Sequence, residues 1–246
     1  MPQIDWYLSW DKAEISAANS HYTEHLYRIQ TTPLYEQVPL DIPPPASRCE
    51  LGLPETGTIY FCPHRIQKYH PLWDHYIREI LERDRAGHVV MLTGHVPYLR
   101  EKLSARLRRN VGEELFSPVI LLPSQTVSQY YRYLSASTLI LHSPVYTGEI
   151  TTVDGFLYGV PGVTQTGELL ITRYTTGGYD EAGIQGPAVR GQSEYVNQAV
   201  EIGTDHGYRE RLSREISVYR KSFFENRKTV REWERFLIDV VSQQRR

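Results

Sequence analysis

The sequence predicts an α/β protein built on a doubly wound parallel sheet, preceded by a short N-terminal stub. Two observations carry this. Five short apolar runs alternate with segments whose apolar residues recur at helical spacing, the pattern of repeated βαβ units. The runs are continuous rather than alternating, as strands buried on both faces are. The 246 residues, 40% hydrophobic and 23% charged, suffice for one large domain or for one domain with part of another.

In order, Ile4 to Trp10 reads as a strand, and the polar stretch AEISAANSHYTEH that follows has helical composition. Three consecutive prolines, Pro43 to Pro45, cannot continue a helix or a central strand. Residues 43–56 therefore read as a linker, with Gly57 opening the main domain at 57–246. TIYFC is the first strand of that domain. A helix follows with Pro71 at N1 and Leu72, Trp73, Tyr76, Ile77, Ile80 and Leu81 on one face. HVVMLTG is a second strand, PYLREKLSARLRRN a basic helix and PVILL a third strand. QTVSQYYRYLSAS is a helix with Val127, Tyr130, Tyr131 and Leu134 inward. TLILH is a fourth strand, TTVDGFLYG a short helix and GVTQ a fifth strand. Two or three helices finish the chain, the last with Val230, Trp233, Phe236, Leu237, Val240 and Val241 on one stripe.

Several function classes are excluded early. A net charge of −2 gives no global pull toward nucleic acid or an anionic membrane. No apolar run approaches the roughly 20 residues that span a bilayer, and MPQIDWYLSW lacks a signal-peptide pattern. The ending Gln243 to Arg246 is a basic tail too short to argue from. Cys49 and Cys62 lack CxxC or zinc spacing, so free thiols in a reducing, cytoplasmic or nucleocytoplasmic setting are expected. No GxSxG, GxGxxG or P-loop is present. His21 and His25 stand four apart, a metal-like spacing on a helix, but no third ligand accompanies them. They read as surface histidines, and His142 as structural.

Ligands of doubly wound sheets bind beyond the carboxyl ends of the strands. That rule gathers residues 63–68, 93–95, 123–125, 143–152 and 165–173 at one edge. Within them, LHSPVYTGEITTVD reads as strand, Gly-bearing loop and helix start. Gly148 permits close backbone approach. Thr151 and Thr152 place hydroxyls and free N–H groups at the positive end of a helix dipole, an anion cradle or an ordinary N-cap. Asp154, in the first turn, either complements the dipole or accepts from ribose hydroxyls. Lys68, next to His64 and Arg65, either neutralises a diphosphate or is a solvated lysine, and Arg173 faces the same choice.

These stretches together resemble a known family. IDWYLSWD with SHYTEHLYRI, LGLPETGTIYFCPHRIQKYHP, the run from Leu121 to Arg173, and VNQAVEIGTDHGYRERLSREI resemble, in order and spacing, the C-terminal part of the O-GlcNAc transferase family and its SPINDLY-type relatives. The resemblance implies a GT-B fold, of which this chain would be the C-terminal, Rossmann-like half, with residues 1–42 a remnant of the N-terminal half. It implies an inverting, metal-independent enzyme without cofactor that transfers a sugar, usually GlcNAc from UDP-GlcNAc, to Ser or Thr of a protein. Carried over, Lys68 would contact and stabilise the diphosphate. Gly148, Thr151 and Thr152 would bind the β-phosphate, Asp154 the ribose, and Arg173 would sit near the site or brace its helix. The general base is not implied by any residue of the chain.

Three departures qualify the match. One half of the cleft is absent, so a first half supplied by another chain, or a longer protein, is expected. Glu149 and Ile150 occupy positions where the family has Gly, His, Asn or Thr, and an anion about 4 Å from a phosphate costs roughly 1–4 kcal/mol. Gly177 and Gly178 fall within a helix of the family and cost up to about 2 kcal/mol of helix propensity, which predicts an irregular segment. The alternative function is a degenerate, non-catalytic nucleotide-binding or interaction module. A UDP-sugar epimerase of GT-B type stands behind both.

Overall fold

The computed structural model describes residues 4–244, with side chains to residue 242. The side chains of the basic tail therefore lie outside the described residues. The chain opens with two parallel strands, β1 (Trp6–Trp10) and β2 (His25–Ile29), in register from Trp6 opposite His25 to Trp10 opposite Ile29. The helix expected between them is not formed. Two short 3-10 turns, Asp11–Ala13 and Ala18–His21, take its place. The cause is local. The Glu14 carboxylate accepts from the Ser9 hydroxyl and from the Tyr22 hydroxyl at 2.6 Å. Arg28 reaches across to the Ile15 carbonyl at 2.9 Å. Such side-chain bonds compete with a helical ladder. His21 thus ends a turn while His25 begins β2, and the two share no helical face.

The Pro-rich stretch carries one 3-10 turn, Cys49–Leu51. It lies along the main domain, tied by Arg48 to the Gly57 carbonyl at 2.7 Å and to the Thr138 hydroxyl at 3.0 Å.

The main domain alternates as expected. Its elements are β3 (Ile59–Cys62), α1 (Leu72–Arg83), β4 (His88–Leu92), α2 (Pro97–Val111), a short α3 (Glu113–Phe116), β5 (Val119–Leu122), α4 (Val127–Ala136), β6 (Leu139–Leu141), α5 (Ile150–Tyr158) and β7 (Gly162–Gln165). α6 (Tyr174–Ala182), β8 (Ala188–Val189), α7 (Gln192–Thr204), α8 (His206–Phe223) and α9 (Arg227–Gln244) complete it. The sheet has six strands, all parallel, in the order β5-β4-β3-β6-β7-β8. The sixth, β8, has two residues and gives no periodic signal. Counted from β3, this is the 3-2-1-4-5-6 order of Rossmann folds, whose winding reverses between β3 and β6.

Both faces of the sheet are covered. Tyr60, Cys62, Val89, Met91, Leu139 and Leu141 pack with residues of α1, α2, α7 and α8. Ile59, Phe61, Val90 and Ile140 pack on the other face with Leu134 of α4 and with Leu53. Six expected core positions are exposed instead. Pro71 is the N-cap rather than N1 of α1, and Leu72 beside it is 42% exposed. Val127 opens α4 at 71% exposed, because only the later turns of that helix reach the sheet. In α9, Phe236 is buried against Trp6 and Tyr27. Val230, Trp233, Leu237 and Val241 of the same stripe remain exposed. The two strands beneath α9 are too narrow to cover it.

Gly177 and Gly178 lie inside a continuous helix, α6, not in an irregular segment. A Cβ on Gly177 would stand 2.9 Å from the Trp10 ring, and one on Gly178 would stand 3.3 Å from Phe156. The glycines let β1 and α5 pack directly on the α6 backbone. That close packing offsets their propensity cost.

Candidate functional site

The site lies at the reversal between β3 and β6, where the loops leaving two adjacent strands diverge. After β3, a 3-10 turn (Ile66–Lys68) carries Lys68. After β6, residues 142–149 turn back and open α5. The Ser143 hydroxyl donates to the Lys68 carbonyl at 2.8 Å. The Lys68 ammonium lies 3.5 Å from the Thr147 carbonyl oxygen. Burial pulls the pKa of this half-buried lysine down, and nearby Glu149 opposes that shift.

Thr152 points inward. Its hydroxyl meets the Gly148 carbonyl at 2.6 Å and the Thr175 hydroxyl at 2.8 Å. Thr175 also bonds the Gly148 carbonyl at 2.9 Å, and Thr147 reaches Thr164 at 3.0 Å. Four buried threonines from the loop, α5, β7 and α6 therefore seat the loop from behind. Thr152, expected at the phosphate, belongs to this seat. Nothing in the sequence singles out Thr164 and Thr175, although a Thr-Thr pair directly precedes Gly177-Gly178.

Thr151 lies against Gly148, and its hydroxyl oxygen is buried without a partner among the described residues. A Cβ on Gly148 would sit 1.7 Å from that oxygen and 2.9 Å from His142 Nδ1. Gly148 is thus required by the close approach of its neighbours. His142 is fully enclosed, and burial drives its pKa down to about 3, so the ring is neutral. Its carbonyl accepts from the Tyr195 hydroxyl at 2.8 Å, in keeping with a structural role. The Thr152 and Val153 N–H groups donate to the Glu149 carbonyl at 3.1 and 3.2 Å, which leaves those of Ile150 and Thr151 as the free leading donors of α5 among the described residues.

Asp154 is placed differently from the ribose expectation. It is 7% exposed. Its two oxygens accept from the Tyr130 hydroxyl at 2.8 Å and the Tyr131 hydroxyl at 3.1 Å. Each oxygen keeps a further lone pair, and a ribose would have to reach it through the small exposed fraction of the residue. Burial lifts the Asp154 pKa from 3.8 to about 6, although both tyrosine bonds pull it down. The neutral form is therefore favoured more in the folded chain than in the unfolded one, although above pH 6 the group is ionised. Asp154 adds stability that is fully present below pH 3.8 and lost as pH rises through 6, about 3 kcal/mol for the whole shift. Asp154→Asn is expected to remove that part of the pH slope. Urea unfolding of both proteins at pH 4 and pH 7 checks this, and parallel slopes would sink it.

Arg173 is away from the loop. It braces the N-terminal segment, donating to the Ala13 carbonyl at 2.7 Å and to the Gly167 carbonyl at 3.0 Å. Glu149 is the N-cap of α5 without capping through its side chain. It walls a small cavity with Trp10, Pro33, Leu34 and Tyr174, and burial raises its pKa. The carboxylate that opposes an anion is thus directed toward the N-terminal segment, while remaining within electrostatic reach of Lys68. Among the described residues, no group of three or more His, Cys, Asp or Glu could hold a metal ion, and no helix is long and apolar enough to cross a membrane.

The arrangement offers one ammonium, a helix N-terminus and a close-approach glycine at one sheet edge. That set suits a phosphate or diphosphate.

A family model described as glycosyl transferase family 41 matches residues 10–232. Among solved structures, the chain is similar to a lysine-to-methionine variant of the Thermobaculum terrenum O-GlcNAc transferase. The identity is 22% and the TM-score 0.83, over 99% of this chain and 45% of that one. It is also similar to a variant of S. aureus TarM in complex with fondaparinux, alpha-GlcNAc-glycerol and UDP. There the identity is 12% and the TM-score 0.64, over 96% and 44% of the two chains. Anabaena HepE in complex with UDP and glucose matches at 14% identity and a TM-score of 0.55, over 79% and 51%. The chain spans about half the length of these structures, and the shared fold is GT-B.

Proposed function

This chain belongs to glycosyltransferase family 41, and we propose on that footing that it forms the donor-binding half of an inverting protein O-glycosyltransferase. UDP-GlcNAc is the donor, a Ser or Thr hydroxyl the acceptor, and neither metal nor cofactor takes part. The observation that carries this reading is the convergence of Lys68, Gly148 and the start of α5 at the strand-order reversal. Preorganised positive charge there would stabilise the UDP that departs as the acceptor oxygen attacks the anomeric carbon. UDP in the TarM and HepE complexes adds support. The acceptor side of the cleft, with any general base, is assigned to polypeptide outside these 246 residues, in the same protein or another.

Calorimetric titration with UDP, UDP-GlcNAc and GDP-fucose tests the donor. Micromolar UDP binding is expected. Lys68→Gln should weaken it by about 1.5–3 kcal/mol, the worth of a hydrogen bond to a charged group. A second reading, a degenerate module, is favoured by Glu149, whose carboxylate stays within electrostatic reach of Lys68. Binding by Glu149→Gly but not by the native chain would support a site closed by that residue. Absence of binding by both would end the donor reading.

A further inference from the structure

Lys68 is gripped at both ends by the turn that follows β6. The Ser143 hydroxyl holds its carbonyl at 2.8 Å. The Tyr146 ring centroid lies 3.9 Å from its ammonium. Ser143 and Tyr146 pair with each other as an isolated antiparallel bridge. One small turn therefore fixes both the backbone of the lysine and the place of its charge.

No carboxylate forms an ion pair with Lys68 among the described residues. The half-buried ammonium lies against the negative face of an aromatic ring and the Thr147 carbonyl, with the Glu149 carboxylate within electrostatic reach but not in contact. An ammonium has three N–H donors. The carbonyl takes one and the ring covers one side, which leaves a donor for an incoming anion.

We propose that Tyr146 is a positioning residue for diphosphate binding: its ring holds the Lys68 ammonium at the mouth of the Gly148 loop, ready for a phosphate oxygen. The proposal rests on the donor reading above and deepens it. A lysine stem free in solvent would sample many rotamers and lose that freedom on binding. Stacked on Tyr146, it has lost much of it beforehand. Tyr146 is itself 43% exposed, so its removal empties no core position.

The test is a double-mutant cycle read by UDP calorimetry, using the native chain, Tyr146→Phe, Tyr146→Leu, Lys68→Gln and the double variant Tyr146→Leu/Lys68→Gln. Tyr146→Phe keeps the ring face and is expected to bind within twofold of native. Tyr146→Leu is expected to bind about fivefold more weakly, within the range of a partly desolvated cation–π contact. In the Lys68→Gln background the same change is expected to cost nothing. The upfield ring-current shift of the Lys68 ε-methylene protons in the ligand-free protein should vanish in Tyr146→Leu. An equal loss with and without Lys68 would show that the ring touches the ligand itself, and would overturn this role alone. So would a missing ring-current shift in the native chain. Native protein that binds no UDP would overturn the donor reading, and this role with it.

Discussion

Asp74→Ala is expected to lower stability by about 3–5 kcal/mol, a large loss for a single substitution. Asp74 lies in the first turn of α1 and is 1% exposed. It accepts from Arg106 Nε at 2.9 Å, from Arg106 Nη2 at 3.0 Å and from the Asn110 amide at 2.8 Å. The fork is bidentate, the strongest geometry for such a pair. Removing the carboxylate leaves the partly buried Arg106 guanidinium without its counter-ion and the Asn110 amide without its acceptor, and those losses set the magnitude. The melting temperature should fall by roughly 10 °C for a chain of this size. The effect should also reach the site. Arg106 donates to the Tyr69 carbonyl at 2.9 Å, directly after Lys68. The Tyr69 hydroxyl in turn donates to the Cys62 and His64 carbonyls. UDP affinity should therefore drop together with stability. Asp74→Asn keeps an acceptor and the shape and should fall between. A loss below about 1 kcal/mol for the alanine variant, the range of exposed pairs, would show that water already screens the pair.

Gly148→Ala is expected to abolish UDP binding and to cost about 1–3 kcal/mol of stability, the range for overpacking. The added methyl would meet the Thr151 oxygen at 1.7 Å and His142 Nδ1 at 2.9 Å. Thr151 can escape by rotating about χ1. His142 cannot, because it is enclosed at the end of β6. The loop must therefore lift, and its carbonyl would leave the hydroxyls of Thr152 and Thr175. Gly207→Ala is the control. It lies near the start of α8, and its nearest neighbour would be 3.5 Å from the new Cβ. Stability there should rise by about 0.4–1 kcal/mol. UDP binding that survives in Gly148→Ala would remove the loop from the donor site.

The main sheet was legible because its strands are unbroken apolar runs bounded by Gly and Pro, and because α1 and α4 bury a helical face. What failed did so for particular reasons. The segment 13–25, polar enough to be read as a helix, runs into His25, the first residue of β2, and the remaining strand residues join no expected element. The real determinants were Glu14 and Arg28, whose partners lie five to thirteen positions away. β8 is too short to carry a period. At the site, the placement of Lys68, Gly148 and the start of α5 along one edge followed from strand order. The partners of Thr152 and Asp154 did not. Tyr130 and Tyr131 looked like packing residues, yet their hydroxyls occupy the carboxylate. Hydroxyl-to-hydroxyl pairing among Thr147, Thr152, Thr164 and Thr175 leaves no mark on composition or spacing.

The close approach of Trp10 to Gly177 has a mechanical consequence. α6 meets the N-terminal strand pair at Gly177, and two residues earlier Thr175 holds the carbonyl of Gly148. The helix acts as a short rigid lever between the two. A displacement of β1 against the main sheet would move the Thr175 hydroxyl beneath the Gly148 loop. If the Gly148 loop holds a donor as proposed, a shift of the N-terminal strands and the grip on that donor would be coupled through a contact that only glycine permits.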